Sequence, residues 1–183
     1  MPALPLGWKP VFKAALTSAS VMAAGDAICQ AIRSRSANQD ISINLKQTAQ
    51  FGMVGLTLHG PYFHHSFRWL DRTLGQSATL RQAALKTALG QVTIFPIYVA
   101  TFFTYMGLLE GLSLAQCKEK VMKAAPPTLL TGTAFWPIVN VFNFLYVPPA
   151  GRVLYVNAAG LFWNAWLSYE NTTKGQVERA EKK

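Results

Sequence analysis

Charged residues are scarce in this chain. They make up 14% of its 183 residues, whereas hydrophobic residues make up 51%, and an ordinary soluble domain carries about 25% charged residues. The shortage argues against a soluble globular protein and indicates a chain that lies in a membrane. The mean hydropathy of +0.19 is nevertheless low for helices that face lipid on every side, so the helices are expected to have polar inner faces.

Cysteines and the common catalytic motifs are also scarce. The two cysteines, Cys29 and Cys117, are far apart and form neither a CxxC motif nor a zinc-binding spacing. The sequence contains no phosphate-binding glycine loop, dinucleotide fingerprint, HExxH or GxSxG motif. Only two carboxylates, Asp26 and Glu110, lie in or beside the apolar segments, which leaves little for paired acid–base catalysis. We therefore expect no enzyme activity, no cofactor and no metal site.

The net charge of +9 does not predict a nucleic-acid partner. The basic residues lie in the gaps between apolar segments and form no cluster on one helix, and a clustered basic face is what nucleic acid requires. We expect a single integral membrane domain over residues 1–183. Flexible ends are predicted at residues 1–10 and at residues 170–183, of which the latter are highly charged.

Apolar segments separated by short polar connectors predict an all-α integral membrane bundle of four to five hydrophobic helices. The clearest span, Thr87 to Leu109, has 23 residues without a charge, enough for about 35 Å of helix. A second charge-free stretch runs from Ala124 to Gly151. Short amphipathic connectors are predicted at Arg68–Lys86, on the membrane surface, and at Glu110–Lys123, before a helix that begins near Pro126.

Small residues mark the predicted contacts between helices. Five alanines are spaced four residues apart in the first apolar segment, and two glycines form a GxxxG pattern at the end of the third. Small residues at this spacing let two helix backbones approach closely in lipid. The predicted packing residues are Ala15, Ala19, Ala23, Ala27, Ala31, Gly107 and Gly111.

Polar residues inside the apolar segments are the candidate functional residues. They are Asp26, Gln30, Gln91, Asn140, Asn143 and Arg152. A polar group in lipid is costly unless it is partnered or hydrated, so these residues are expected to face the interior of the bundle. Arg152 begins a helix whose dipole disfavours a cation, and we predict that Asp26 pairs with it. The polar groups either line a water-filled pathway or are fully paired contacts between helices.

The segment around Trp136 resembles a known family. It reads Trp-Pro, a polar amide, Asn-Phe, Val-Pro and Arg over residues 136–152, and then contains Trp163, Trp166 and a Leu-Ser-Tyr ending at Tyr169. Further matching features are Gly25-Asp26 with Gln30, Gly60-Pro61 with His64, Pro96 in an aromatic run, and Gly107. The pattern resembles the Mpv-seventeen family, which is also named for the twenty-two-kilodalton peroxisomal membrane protein. The chain departs from the family pattern at two places. It has Gly90-Gln91 where the family often has Asp-Gln, and it has Asn140 where the family often has Gln.

This resemblance implies a location and a function. It implies four membrane spans in the mitochondrial inner membrane, with the peroxisomal membrane as the alternative. It implies a channel for small solutes that contributes to mitochondrial homeostasis, and the alternative is a non-conducting structural or scaffolding membrane protein. The expected partners are the lipid bilayer and small solutes or ions, and a homo-oligomer is compatible with the pattern.

Overall fold

The computed structural model describes residues 8–76 and 79–163, and every regular element in these ranges is helical. The elements are α1 (Trp8–Ser36), α2 (Leu45–Val54), a π-helical turn (Gly55–His59), α3 (Gly60–Leu74), α4 (Leu80–Val92), α5 (Ile94–Leu109), α6 (Leu114–Tyr146) and α7, described over residues 152–163. The predicted all-α bundle is confirmed. Residues 8–10 belong to α1, whereas the rest of the predicted flexible ends, Trp166 and Tyr169 lie outside the described residues.

Among the described residues, three helical segments are long and apolar enough to cross a membrane: α1, α4 joined to α5, and α6. The joined segment Leu80–Leu109 is interrupted only at Thr93. Thr93 lies three residues before Pro96, which has no N–H to donate to the Val92 carbonyl. The missing hydrogen bond accounts for the break, and membrane helices tolerate such breaks when neighbouring helices surround them.

The segment from α2 through the π-helical turn to α3 packs along α1. Glycines make this contact close, because a Cβ on Gly55 would lie 2.5 Å from the carbonyl oxygen of Ser18, and one on Gly60 would lie 2.6 Å from that of Ala14. No side-chain carbon fits at those separations, so the two backbones approach each other only because both positions are glycine.

The alanine row of α1 lies partly on this glycine face. In order along α1, Ala15 lies against Gly60, Ala19 against Gly55 and Ala23 against Gly52, whereas Ala27 and Ala31 are half-buried farther along the helix. The first three alanines therefore lie at the close contact between α1 and the segment from α2 to α3, which runs antiparallel to it. The small side chains on one helix match the glycines on the other.

The two predicted packing glycines of the third segment have different roles. A Cβ on Gly107 would lie 2.8 Å from Sγ of the buried Cys117, so Gly107 allows α5 to approach the first turn of α6. The predicted packing role is wrong for Gly111, because no atom of the described residues lies within 4 Å of its Cβ position. Its φ of +86° instead forms the turn after α5, a conformation that glycine adopts without steric cost.

The two predicted amphipathic connectors do not exist as separate surface elements. The first, Arg68–Lys86, is divided between the end of α3 and the start of α4, and its Asp71 and Lys86 are buried. The second, Glu110–Lys123, contributes its residues from Leu114 onward to α6. The first prediction is wrong because two of its charges neutralise each other in the interior instead of facing the membrane surface. The second is wrong because the residues from Leu114 onward form the first turns of a longer helix.

Helix α6 is continuous over 33 residues and contains Pro126, Pro127 and Pro137. The prediction that a helix begins near Pro126 is therefore wrong. The helix begins at a capping box, in which the Ser113 side chain accepts from the Gln116 backbone N–H and the Gln116 side chain accepts from the Ser113 N–H. The cap satisfies the first turn, so the helix starts there and continues through the prolines.

Helix α7 lies beside both α1 and α6. The Asn157 side chain on α7 donates a 2.8 Å hydrogen bond to the Ser18 hydroxyl on α1. On the other side, the ring of Tyr155 stacks on that of Phe142 at 5.7 Å. This placement carries Arg152, at the start of α7, into the bundle interior.

Candidate functional site

A buried ion triad joins three helices. Asp71 on α3 accepts a 2.6 Å hydrogen bond from Lys86 Nζ on α4 and a 2.7 Å bond from an Arg152 terminal nitrogen on α7. The three side chains are 2%, 1% and 5% exposed. Each oxygen of the carboxylate therefore has its own cationic partner, which is the arrangement that makes a buried charge tolerable.

Phe144 on α6 completes the surroundings of the triad. Its ring lies 5.4 Å from Lys86 Nζ and 5.1 Å from the Arg152 guanidinium carbon. An aromatic face attracts cations at such distances, and this attraction offsets part of the cost of two cations facing one carboxylate. The Arg152 Nε–H also donates to the Val147 carbonyl at 3.3 Å. The triad thus ties α3, α4, α6 and α7 together.

A second polar cluster surrounds Asp26 on α1. The carboxylate accepts hydrogen bonds from Gln30 at 2.6 Å, from Gln47 at 2.6 Å and from Thr48 at 2.7 Å. The Gln30 side chain also accepts from the backbone N–H of Asn44 at 2.7 Å. Three donors satisfy the buried carboxylate, so this cluster joins α1 to the start of α2.

The predicted pairing of Asp26 with Arg152 is wrong. Asp26 is held by neutral donors from its own helix and from α2, and Arg152 is held by Asp71. Both residues are buried, 6% and 4% exposed, as their positions in apolar segments suggested. Each has a different partner from the one predicted because α3 brings a second carboxylate into the interior.

A cavity of about 60 Å³ lies between α3, α4, α5 and α6. Its polar lining consists of His59, Thr87, Gln91 and Asn140. The rest of its wall is largely aromatic, formed by Phe63, Phe67, Phe95, Tyr98, Trp136 and Phe144. About 10–15 Å³ of such volume accommodates one water molecule, so the cavity has room for a few water molecules and not for a metabolite.

Several polar atoms at this cavity have no protein partner. Among the described residues, His59 Nε2, Thr87 Oγ1 and Asn140 Oδ1 are buried and make no hydrogen bond. The other ring nitrogen of His59, Nδ1, lies 2.6 Å from the Tyr98 hydroxyl, which fixes the ring. Buried polar atoms are normally satisfied. Three unsatisfied atoms around one cavity indicate an interior that is suited to water or to a small polar solute.

The predicted polar residues fall into three groups. Asp26 and Gln30 lie in one cluster, Arg152 belongs to the ion triad, and Gln91 and Asn140 line the cavity. Asn143 is fully buried but does not line the cavity. Neither of its side-chain amide atoms has a partner among the described residues. The charged residues Asp26 and Arg152 are thus satisfied, whereas Asn140 Oδ1 and both amide atoms of Asn143 have no partner among the described residues.

Sequence reasoning missed Asp71, Lys86, Thr87 and His59 as interior residues. Thr87 and His59 carry no signal that distinguishes them from other polar residues in helices. Asp71 does carry one, because it is the only carboxylate between Asp40 and Glu110. An isolated carboxylate among several cations is a reason to expect a specific ion pair.

The profile of the family described as "Mpv17 / PMP22 family" matches residues 107–168. The chain is similar to "PXMP2/4 family protein 4" of Dictyostelium discoideum, with 30% identity over 90% of this chain and 88% of that protein. It is also similar to "Protein SYM1" of Mycosarcoma maydis, with 32% identity over 85% of this chain and 77% of that protein. The "Mitochondrial inner membrane protein Mpv17" of Caenorhabditis briggsae is 27% identical over 92% of this chain and 90% of its own length. No solved structure matches the chain.

Proposed function

The chain belongs to the Mpv17 / PMP22 family, and we propose that it provides a pathway for small polar solutes or ions across the mitochondrial inner membrane. The location follows from relatives that include a mitochondrial inner membrane protein. The proposal of a pathway rests on one observation, the interior cavity at which three buried polar atoms have no partner among the described residues. We propose that this pathway contributes to mitochondrial homeostasis by letting small solutes move between the compartments.

Conduction through this cavity requires movement, because its present volume admits only a few water molecules. Two irregular points border it. His59 is the last residue of the π-helical turn, and Gln91 lies two residues before the break at Thr93. π-helical turns and proline-associated breaks are points at which helices bend and are frequent at functional sites. We infer that bending at these two points separates the helices and opens the cavity to both sides.

The charged groups favour a second candidate function, that of a non-conducting structural protein. Asp26 has three donors, and Asp71 has two cationic partners. Saturated groups of this kind stabilise a bundle and have little capacity left for solutes. The same saturation leads us to propose that the protein carries out no covalent chemistry, because neither buried carboxylate is available as a general acid or base.

Recording from the purified protein in planar bilayers separates the two candidates. Thr87→Val removes the cavity hydroxyl while keeping the shape of the side chain, and Asn140→Leu removes the cavity amide. Each is expected to lower the unit conductance several-fold. Thr101→Val is the matched control, because Thr101 lies on the exposed face of α5 and its hydroxyl bonds only to its own helix.

Silence of the folded wild-type protein would reject the pathway and leave the structural candidate. Equal effects of Thr87→Val and Thr101→Val would reject this cavity as the route. Wild-type conductance that falls only with the cavity variants would support the proposal.

A further inference from the structure

A groove opens between α2, α5 and the first turns of α6. Its volume of about 520 Å³ lies within the range of about 300–1,000 Å³ that is common for ligand sites. Its floor is apolar and consists of Phe51, Phe102, Phe103 and Met106. Its rim is polar and consists of Asn44, Lys46, Gln47, Gln50, Glu110 and Lys120.

The groove lies across the boundary between hydrocarbon and headgroups. Helix α6 carries Lys118, Glu119, Lys120 and Lys123 in its first turns and then has no charge before Arg152. Helix α5 is likewise uncharged, and Glu110 follows its last residue. Because charges end where the hydrocarbon begins, Glu110 and Lys120 lie at headgroup level. The aromatic floor lies on the bilayer side of that level.

The rim carries an excess positive charge. Lys120 pairs with Glu110 at 2.5 Å, whereas Lys46 is exposed and makes no ion pair with any described residue. Two lysines and one glutamate give the rim a net charge of +1. The N-terminus of α2 lies at the same place, since Asn44 is its capping residue, and the helix dipole adds positive potential there.

The side-chain amides of Gln47 and Gln50 on the rim already donate to protein acceptors. Gln47 Nε2 donates to Asp26 at 2.6 Å, and Gln50 Nε2 donates to the Leu109 carbonyl at 2.7 Å. The cationic rim groups are Lys46, which has no ion pair with a described residue, and Lys120, whose ammonium has two N–H donors beyond its pair with Glu110. These two groups can hold an anion. The floor beneath them offers aromatic and thioether surface, to which hydrocarbon chains adhere.

We propose that this groove binds one anionic diacyl phospholipid. The phosphate lies between Lys46 and Lys120, and an acyl chain lies along Phe51, Phe102 and Phe103. A basic recess between membrane helices beside the headgroup layer is the arrangement that holds anionic lipid headgroups. The proposal does not depend on solute conduction, because the groove is separate from the interior cavity.

Delipidated protein in a neutral detergent tests the site. Thermal unfolding is followed by tryptophan fluorescence while phosphatidylglycerol or phosphatidylcholine with the same chains is added. We expect phosphatidylglycerol to raise the Tm at concentrations at least about tenfold lower, since each lysine near a headgroup contributes about 1 kcal/mol. The variant K46Q/K120Q is expected to lose this preference, whereas K123Q should keep it. Lys123 lies on the same helix, and its side chain is 81% exposed.

Three further measurements make the outcome decisive. K46Q alone alters an exposed side chain without an ion pair to a described residue. It is expected to leave folding intact and to lose part of the preference. Inorganic phosphate and glycerol 3-phosphate are expected to leave the Tm unchanged, and an equal rise with either would show a site for free anions instead. Equal stabilisation by both lipids, or a full preference in K46Q/K120Q, would overturn the proposal.

Discussion

Removing the carboxylate of the buried ion triad is the most informative perturbation of this bundle. Asp71→Asn keeps the shape of the side chain but leaves Lys86 and Arg152 without a counter-ion in a site where their side chains are 1% and 5% exposed. Loss of one partner of a buried ion pair costs about 3–5 kcal/mol. Because this change strands two cations, we expect a loss at the upper end of that range or beyond it.

Lys86→Met is expected to be much milder. It leaves Asp71 paired with Arg152 at 2.7 Å, keeps the Arg152 contact with Phe144, and removes the excess positive charge. The lost charge-assisted hydrogen bond is worth about 1.5–3 kcal/mol, but the desolvation cost of the ammonium disappears with it. We therefore expect a net loss below about 2 kcal/mol.

Thermal unfolding of the purified variants measures the difference. For a protein of this size, 1 kcal/mol corresponds to about 2–4 °C in Tm, so Asp71→Asn should lower the Tm by about 10 °C or more. The control Glu119→Gln breaks an exposed pair with Lys123 and should change the Tm little. The triple variant D71N/K86M/R152M should be more stable than D71N, because no stranded charge remains. Equal losses in D71N and K86M would refute the reasoning.

The remaining predictions concern α1 and its neighbours. Gly55→Ala places a Cβ 2.5 Å from a carbonyl oxygen of α1 and should destabilise the bundle by at least about 1–3 kcal/mol, whereas Gly52→Ala, with 3.5 Å available, should be tolerated in the same thermal melt. Ala23→Leu should also destabilise by about 1–3 kcal/mol, and an unchanged Tm would place Ala23 toward lipid. Asp26→Asn and Arg152→Gln should each lower the Tm. In the double variant their effects should add within about 0.5 kcal/mol, because the residues belong to separate clusters. A larger deviation from the sum would mean that the two residues touch.

The helical class and the close contacts of α1 could be predicted because they depend on local patterns. Charge-free runs are long enough to span a membrane, and small residues at a spacing of four mark a packing face wherever they occur. The alanines Ala15, Ala19 and Ala23 illustrate this, since they lie on the glycine face described above. Gly111 shows the limit, because the same GxxxG pattern does not distinguish a packing glycine from one that forms a turn.

The partners of buried charges could not be predicted, because they depend on contacts that are distant in the sequence. Asp71 and Arg152 are 81 residues apart, and no periodic pattern relates them. Charges in short segments usually mark water-facing connectors, and this rule misplaced Asp71 and Lys86. Because Asp71 lies in the interior, Arg152 pairs with Asp71 and not with Asp26. The polar candidates of the cavity, Gln91 and Asn140, were identified by their chemistry, but their proximity required the fold.

The fold of this chain depends on the number of residues in the π-helical turn as well as on their identity. A turn with one extra residue rotates everything after it by about 100° relative to an uninterrupted α-helix. Gly60 and Asp71, both downstream of Gly55–His59, reach α1 and the two buried cations only with that offset. A deletion of one residue within the turn would straighten the helix and direct the Asp71 carboxylate away from its cations. Among homologues, gaps should therefore avoid this turn, even where its individual residues vary.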